Sequence, residues 1–448
     1  MNSAGLPAID RLPDRQYNPW PPSRISENGV IVTWGFNRRL GMEFARRMTV
    51  AATVIVALLA GSAACGADWP CWRGPNHDGI SLEKGFKTTW KEPPKVLWEA
   101  TTGSAFSSFT CAGSKVYTCG TKDKKQVLFC LDGNTGKVIW EKPFEKERKD
   151  GQGGDGTRAT PTLDAGRGYI LGGHGLLVCF DAEKGDETWR KQFSNEPQWG
   201  YAGSVLIEGD MAVVSPGGSD GGLLALDKKT GKEIWNCTKE PAGYSTPYPF
   251  TFNGKRYIAG FLAKFMVVAD AKTGREVWRT PWKTDYDVNA AAPIFSNGHL
   301  FLTSGYGTGC ALFKLSEDGD KLAGKEVWRN KTFVSKFQSC ILADGVLYGT
   351  NEKRSIKCVE FMTGKELWSV EGYANATAIL ADGHLIVLTE KGKLVIAKAS
   401  PKEFKPIAEA EVLKGRCWTI PTLCNGKLYA RNLEKAVCLD LIAGKQPQ

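Results

Sequence analysis

The chain has no C-x-x-C spacing, and its four histidines, His77, His174, His299 and His384, form no His-x-x-x-His pair. These absences remove the usual frameworks for structural zinc and for attached haem. No Ser-His-Asp spacing stands out. The glycine-rich run at 217–222 looks like a phosphate loop but links two expected strands, not a strand and a helix, and so reads as a turn. Basic side chains outnumber acidic ones by 58 to 48, yet no basic cluster is interleaved with aromatics on one element. A nucleic-acid partner is therefore not expected. Lysines such as Lys122, Lys124 and Lys125 fall on turns, where they read as a solvated surface that discourages edge pairing. Contact with acidic envelope polymers or lipid headgroups stays open.

What the chain does have is a repeat. The stretch 130–140, C-L-D-G-N-T-G-K-V-I-W, reads as a hairpin: an apolar strand, an Asp that bonds its own turn, a Gly for positive φ, then a strand ending in Trp. It recurs with Asp181 and Trp189, Asp227 and Trp235, Asp270 and Trp278, and Glu360 and Trp368, and a copy with a longer turn ends at Trp328. Successive tryptophans from Trp140 to Trp368 are 49, 46, 43, 50 and 40 residues apart, the period of a four-stranded propeller blade. Between these hairpins lie eight others, turning near Gly113, Gly166, Gly209, Gly254, Gly298, Gly345, Gly383 and Gly426.

The last of the eight has no Trp strand after it, and a spare one, 96–99, stands at the front. The expectation is an all-β, eight-bladed propeller of four-stranded antiparallel blades, closed by pairing the Trp98 strand with the strand around Cys438. Trp98, Trp140, Trp189, Trp235, Trp278, Trp328 and Trp368 are then structural, filling gaps between blades. Blade seven carries Ser400-Pro401-Lys402-Glu403-Phe404 where the Thr-Gly turn belongs, so Phe404 or Ile407 is expected to replace its Trp.

Ahead of the ring, 1–41 is aperiodic and reads as a non-native or disordered extension. A basic stretch, a short apolar run at 49–60 and small residues to Ala67 make 42–67 a secretory signal, with Met42 or Met48 the expected start. The apolar run is too short to span a bilayer. Cleavage after Ala67 gives a soluble exported protein, periplasmic or extracellular, with 68–95 as lead-in and 96–448 as propeller. The alternative is a lipid anchor at Cys65 and attachment to the outer membrane. Of the thirteen cysteines, Cys130, Cys179, Cys358 and Cys438 share one blade position, which suits small buried side chains. Cys417 with Cys424, or Cys111 with Cys119, are candidates to pair if they face each other.

The opening 68–79, D-W-P-C-W-R-G-P-N-H-D-G, together with the A-x-D-x-x-T-G-K-x-x-W repeat, resembles the bacterial PQQ-like β-propeller repeat family, within the quinoprotein alcohol dehydrogenase-like superfamily. The resemblance spans 68–445. It implies the propeller fold and admits two kinds of member: dehydrogenases that bind pyrroloquinoline quinone (PQQ) and calcium, and the non-enzymatic lipoprotein of the outer-membrane β-barrel assembly machinery. The dehydrogenases carry two adjacent cysteines beneath the quinone, and this chain has no Cys-Cys pair. Asp155, Asp285 and Asp287 sit in longer connections and read as solvated acids. The reading leans away from an enzyme and expects neither PQQ nor calcium.

Propeller geometry puts the Gly turns on one face and the long connections on the other, and function concentrates in such loops. The candidate binding face carries the aromatics Trp199, Tyr201, Tyr244, Trp282, Tyr286, Tyr306, Tyr373 and Trp418. Its polar members are Arg158, His174, Asn289, Gln338, Asn375 and Arg416. Aromatics beside amide and guanidinium donors suit a sugar, a peptide or a planar ligand. The expected protein is a monomeric binding or scaffold module of the cell envelope. Its partner is an envelope protein or a polysaccharide. A quinone-dependent oxidoreductase or a carbohydrate-directed protein are the alternatives.

Overall fold

In the computed structural model, which describes residues 68–442 apart from 152 and 353, the period becomes eight antiparallel sheets of four blade strands. The extension, the signal and Cys65 lie outside the described residues. Blade one runs from its inner strand, Thr110–Ala112, through Lys115–Lys122 and Lys125–Asp132 to its outer strand, Val138–Lys146. Its two middle strands are buried along most of their length, because sheets pack on both their faces; the outer strand is partly exposed. The hairpin turn is the expected one. Asp132 Oδ1 accepts from the backbone N–H of Asn134 and Thr135 at 3.0 and 2.8 Å, and from the Thr135 hydroxyl at 2.9 Å. The Thr bonds recur at Asp227 and Asp270. In blade five it is the ladder that is longer, not the turn: Gly309–Asp318 pairs with Lys321–Asn330 out to Asp318 opposite Lys321.

The ring closes as the spare strand required. Val96–Thr101 pairs antiparallel with Lys435–Asp440, and Trp98 stands opposite Cys438. This is an eight-bladed, all-β propeller, and the closure leaves no free edge where the described chain begins and ends. A second clasp corrects both expected cysteine pairs. Cys111, on the inner strand of blade one, is bonded to Cys424, on the inner strand of blade eight, 313 residues away. Cys119 and Cys417 are buried thiols. The two inner strands meet only because the ring closes, so local spacing could not reveal the pair. Cys130, Cys179, Cys358 and Cys438 are likewise buried thiols.

Each ordinary seam between blades is a Trp laid on a Gly. Trp140, Trp189 and Trp235 donate from Nε1 to Glu183 O, Lys228 O and Ala271 O of the next blade, at 2.9, 3.1 and 3.1 Å. A Cβ on Gly185, where φ is +72°, would lie 2.7 Å from the Trp140 ring. The turn glycine thus supplies both the left-handed backbone and the space for its neighbour's indole. Blade seven breaks the pattern, and not as expected. Ala408, opposite Ile396, holds the Trp register, and Ile407 is 40 % exposed. Phe404 serves the other seam, packing on Trp368 of blade six with ring centroids 5.6 Å apart. The lead-in makes good the missing indole: Trp90 packs against the same core cluster as Ala408 and donates to Glu409 O at 3.0 Å.

The first part of the lead-in plugs the channel. Trp69 exchanges backbone bonds with Cys111 of blade one, both 2.9 Å, and Pro70 O accepts from Leu163 N of blade two at 2.8 Å. Arg73 Nη2 donates to Cys340 O of blade six at 2.8 Å, and Ile80–Ser81 adds a parallel strand inside blade seven. The segment 69–81 therefore touches inner strands around the ring. Asp68 accepts from Gly113 N at the first turn of blade one, which places the plug's start at the short-turn face. Gly74, at φ +80°, lies against Trp69, whose ring a Cβ there would meet at 2.9 Å. Among the described residues no helix is long and apolar enough to cross a membrane.

Candidate functional site

The connections that enter each inner strand converge above the plug, and the repeat sets which residue faces the axis. In seven of the eight blades, the residue four before the inner strand lines one cavity of about 390 Å³. These are Phe106, Arg158, Ala202, Tyr244, Ala290, Phe337 and Trp418. Trp72, carried by the plug, also lines it, as do Trp199, Tyr306, Lys336 and Asp150. A smaller cavity of about 50 Å³, lined by Trp72, Arg73 and Gln338 among others, lies alongside.

The walls are rings in contact with one another and with cations. Phe106 and Trp418 stack with centroids 5.7 Å apart, and Phe337 lies 4.9 Å from Trp418. Arg158 sits over Phe106 at 5.4 Å, Arg416 over Trp418 at 4.5 Å, and Lys336 Nζ over Tyr306 at 4.9 Å. Trp418 Nε1 donates to Glu390 at 2.7 Å. Arg158 is ion-paired with Asp150, whose backbone N–H is held by Asp155 Oδ1 at 2.6 Å. Burial lowers the Arg158 pKa against the opposing pull of Asp150. Two buried donors of residues on this wall, Arg158 Nη1 and Trp199 Nε1, have no partner among the described residues.

Of the candidate face, the structure gathers Arg158, Trp199, Tyr244, Tyr306 and Trp418 around the cavity. Arg416 and Tyr286 sit beside it. Arg416 bonds Gly153 O, and Tyr286, 59 % exposed, makes an edge contact with Tyr306 at 5.4 Å. Gln338 lines the smaller cavity and donates to Asn375 at 3.2 Å; Asn375 in turn reaches Glu390 at 3.3 Å. His174 is held away from the cavity by Glu196, 3.0 Å from Nδ1, and by Glu147 O.

Four of the named residues point into the protein. Tyr201 bonds Pro216 O at 3.2 Å, and Trp282, 2 % exposed, bonds Ser304 Oγ at 3.0 Å. Tyr373 packs edge-on to Phe404 at 5.1 Å. Asn289 is fully buried; its amide donates to Leu262 O at 2.8 Å and its Oδ1 accepts from Thr284 and Ser304. Long loops over a ring must satisfy their own backbone; Tyr201 and Asn289 bond backbone carbonyls, and Trp282 and Tyr373 pack the loops down. Sequence reasoning missed Trp72, Phe106, Phe337, Lys336 and Asp150. The signal for Phe106 and Phe337 was present: they share the repeat phase of Tyr244 and Trp418. For Trp72 no local signal existed.

The donor set does not match a PQQ-and-calcium site. Among the described residues Asp150 is the one carboxylate lining the cavity, and Arg158 engages it. Among the described residues no three His, Cys, Asp or Glu side chains gather as cation ligands would. The disulfide joins inner strands in the sequence-distant blades one and eight, and among the described residues no cysteine lines the cavity.

A family model described as outer membrane protein assembly factor BamB matches residues 92–236, 124–370 and 263–416. The outer membrane protein assembly factor BamB of Burkholderia pseudomallei (strain K96243) is 29% identical over 281 residues, covering 61% of this chain and 68% of that one. Among solved structures, BamB from Moraxella catarrhalis aligns with a TM-score of 0.55 at 16% identity, covering 77% of this chain and 99% of its own. The quinohemoprotein alcohol dehydrogenase of Comamonas testosteroni aligns at 0.58 with 13% identity, covering 85% of this chain and 82% of its own. At those identities the structural likenesses speak for the fold alone.

Proposed function

The chain belongs to the family of the outer membrane protein assembly factor BamB, and on that premise we propose that it is a binding and scaffold module of the cell envelope. In this reading it is exported, works without chemistry of its own, and docks an envelope protein or polymer on its loop-rich face. One observation carries the reading: the two ends of the channel are unlike. The short-turn end is closed by the protein's own segment 69–81, and its turns satisfy themselves. The other end carries long connections that are anchored from beneath, as by Asn289, and expose tips such as Tyr286. Loops already ordered on a rigid ring lose little freedom on docking, which favours binding there.

The same proposal has the ring acting as a monomer without PQQ or calcium, in the periplasm or outside the cell, with attachment through Cys65 as the alternative to free export. The mismatch of the cavity's donors with that cofactor set supports it. A photo-crosslinking residue at Tyr286, compared with one at Lys229 on the opposite face, tests the docking face in envelope fractions. Adducts from position 286 alone are expected; equal labelling from both would remove the face assignment. Adding PQQ and calcium is expected to leave the melting temperature unchanged, whereas a rise of several degrees at saturation would restore the oxidoreductase reading.

A further inference from the structure

We propose that the cavity at the channel mouth is a binding site for an acidic saccharide, one or two sugar rings bearing a carboxylate. The inference stands on the cavity's own chemistry and survives whether or not the surrounding loops dock a protein.

Size comes first. About 390 Å³ falls within the range of small-molecule sites, roughly 300–1,000 Å³. The polar character of the wall is one-sided. Its unpartnered buried atoms, Arg158 Nη1 and Trp199 Nε1, are both donors. A buried donor without an acceptor is costly, and a ligand oxygen that reaches either atom on a small side-chain shift supplies one. The charge agrees. Among the described lining residues the cations Arg158 and Lys336 stand against one carboxylate, Asp150, itself paired with Arg158; beside the cavity lie Arg416 and the carboxylates Glu390, bonded by Trp418 Nε1, and Glu352, bonded by the Tyr306 N–H. At the lining itself the excess is cationic, and a carboxylate is its complement.

The remaining wall separates a sugar from a flat aromatic acid. Ser204 Oγ accepts from Thr160 N and Thr246 Oγ1 accepts from Ser204 N, each at 2.9 Å, and each hydroxyl keeps its own proton to donate. With the Tyr244 and Tyr306 phenols they form a set of groups that both donate and accept, which suits a polyhydroxylated ring. The rings of Trp418 and Phe106 already stack on one another and carry Arg416 and Arg158 over their faces. This pair is thus already engaged and does not clamp a planar ligand. Trp72 lines the cavity from the plug side and offers apolar surface for the C–H face of a sugar. On this inference the Trp-Arg-Gly-Pro opening has a purpose: it anchors in the channel and delivers one aromatic to the binding site.

Calorimetry on the mature ring tests this with trigalacturonic acid, a glucuronic-acid trisaccharide, neutral maltotriose and benzene-1,3,5-tricarboxylate. At least one acidic trisaccharide is expected to bind, with maltotriose and the tricarboxylate each at least tenfold weaker. Trp199→Phe removes one N–H and keeps a ring, and is expected to weaken acidic-sugar binding roughly tenfold at unchanged melting temperature. Trp72→Ala is expected to abolish it. Failure of both acidic trisaccharides to bind overturns the proposal. So does equal binding of maltotriose, tighter binding of the tricarboxylate, or affinity untouched by Trp199→Phe and Trp72→Ala together.

Discussion

The two ends of the channel are built by the same repeat and have opposite characters. At the short-turn end the chain closes on itself. Arg73, 1 % exposed, puts two of its three guanidinium nitrogens on backbone carbonyls: Nε donates to His77 O at 3.2 Å, and Nη2 to Asp78 O and Cys340 O at 2.7 and 2.8 Å, while Nη1 has no partner among the described residues. At the loop-rich end the comparable guanidinium, Arg158, meets a carboxylate and an aromatic ring and borders a cavity. A buried cation surrounded by carbonyls holds one arrangement of chain in place. One that is part-paired beside open space is available to a ligand. The contrast teaches that aromatic and basic residues in a propeller's loops are not interchangeable evidence for a site. What counts is whether the fold has already used their polar atoms.

The largest effect expected from attacking this contrast is on the closed end. Replacing both Cys111 and Cys424 by Ser should lower stability by about 2–5 kcal/mol in urea unfolding, since the bridge closes a very long loop. A change under about 0.5 kcal/mol would mean that strand pairing at Trp98 closes the ring unaided. Next, Arg73→Met strips the donors from three carbonyls. It should cost about 2–4 kcal/mol while leaving the loop face intact to a surface-specific crosslinker.

The closed end should also sense acid. Burial, with Arg256 and Arg73 nearby, brings His77 down from its ordinary value to about 4, against a weaker upward pull from Glu208. The unfolded chain takes up that proton near pH 6.5, and the folded one resists until about 4. The neutral His77 contribution is therefore complete above pH 6.5 and is lost as pH falls through that window, up to about 3 kcal/mol. His77→Gln should flatten that slope in unfolding curves taken from pH 7 to 4; an unchanged slope would assign the acid sensitivity elsewhere. The smallest effect belongs to the open end. Tyr286→Ala should stay within about 0.5 kcal/mol, because the ring it carries is mostly in solvent. A loss matching that of Arg73→Met would erase the distinction between the two ends.

Much of the ring could be read in advance, and the particulars say why. The hairpin from Cys130 to Trp140 is specified by neighbours in sequence: an Asp that bonds its own turn, a Gly that turns left-handed, and an apolar strand on either side. Copies of such a unit bury their faces only against one another, so blade number and closure at Trp98 follow from counting. The candidate site was less legible. Tyr244, Arg158 and Trp418 were found by residue type, but Trp282 and Asn289 have equally suggestive types and are buried. Phase within the repeat separates Tyr244 and Trp418 from Trp282, because in seven of the eight blades the position four before the inner strand lines the cavity; in the eighth that position is Tyr373, which packs on Phe404.

The order of residues alone determined the blade, its number and the strand that completes the circle, since each rests on turns and ladders between close or periodically spaced groups. Only the tertiary structure decided the Cys111–Cys424 bond, the use of Trp90 beside Ala408, and the insertion of 69–81 into the channel with Trp72 beneath the cavity. Each of these joins segments with no shared period. Their contact depends on which surfaces remain uncovered once eight sheets have packed, and no local spacing encodes that remainder.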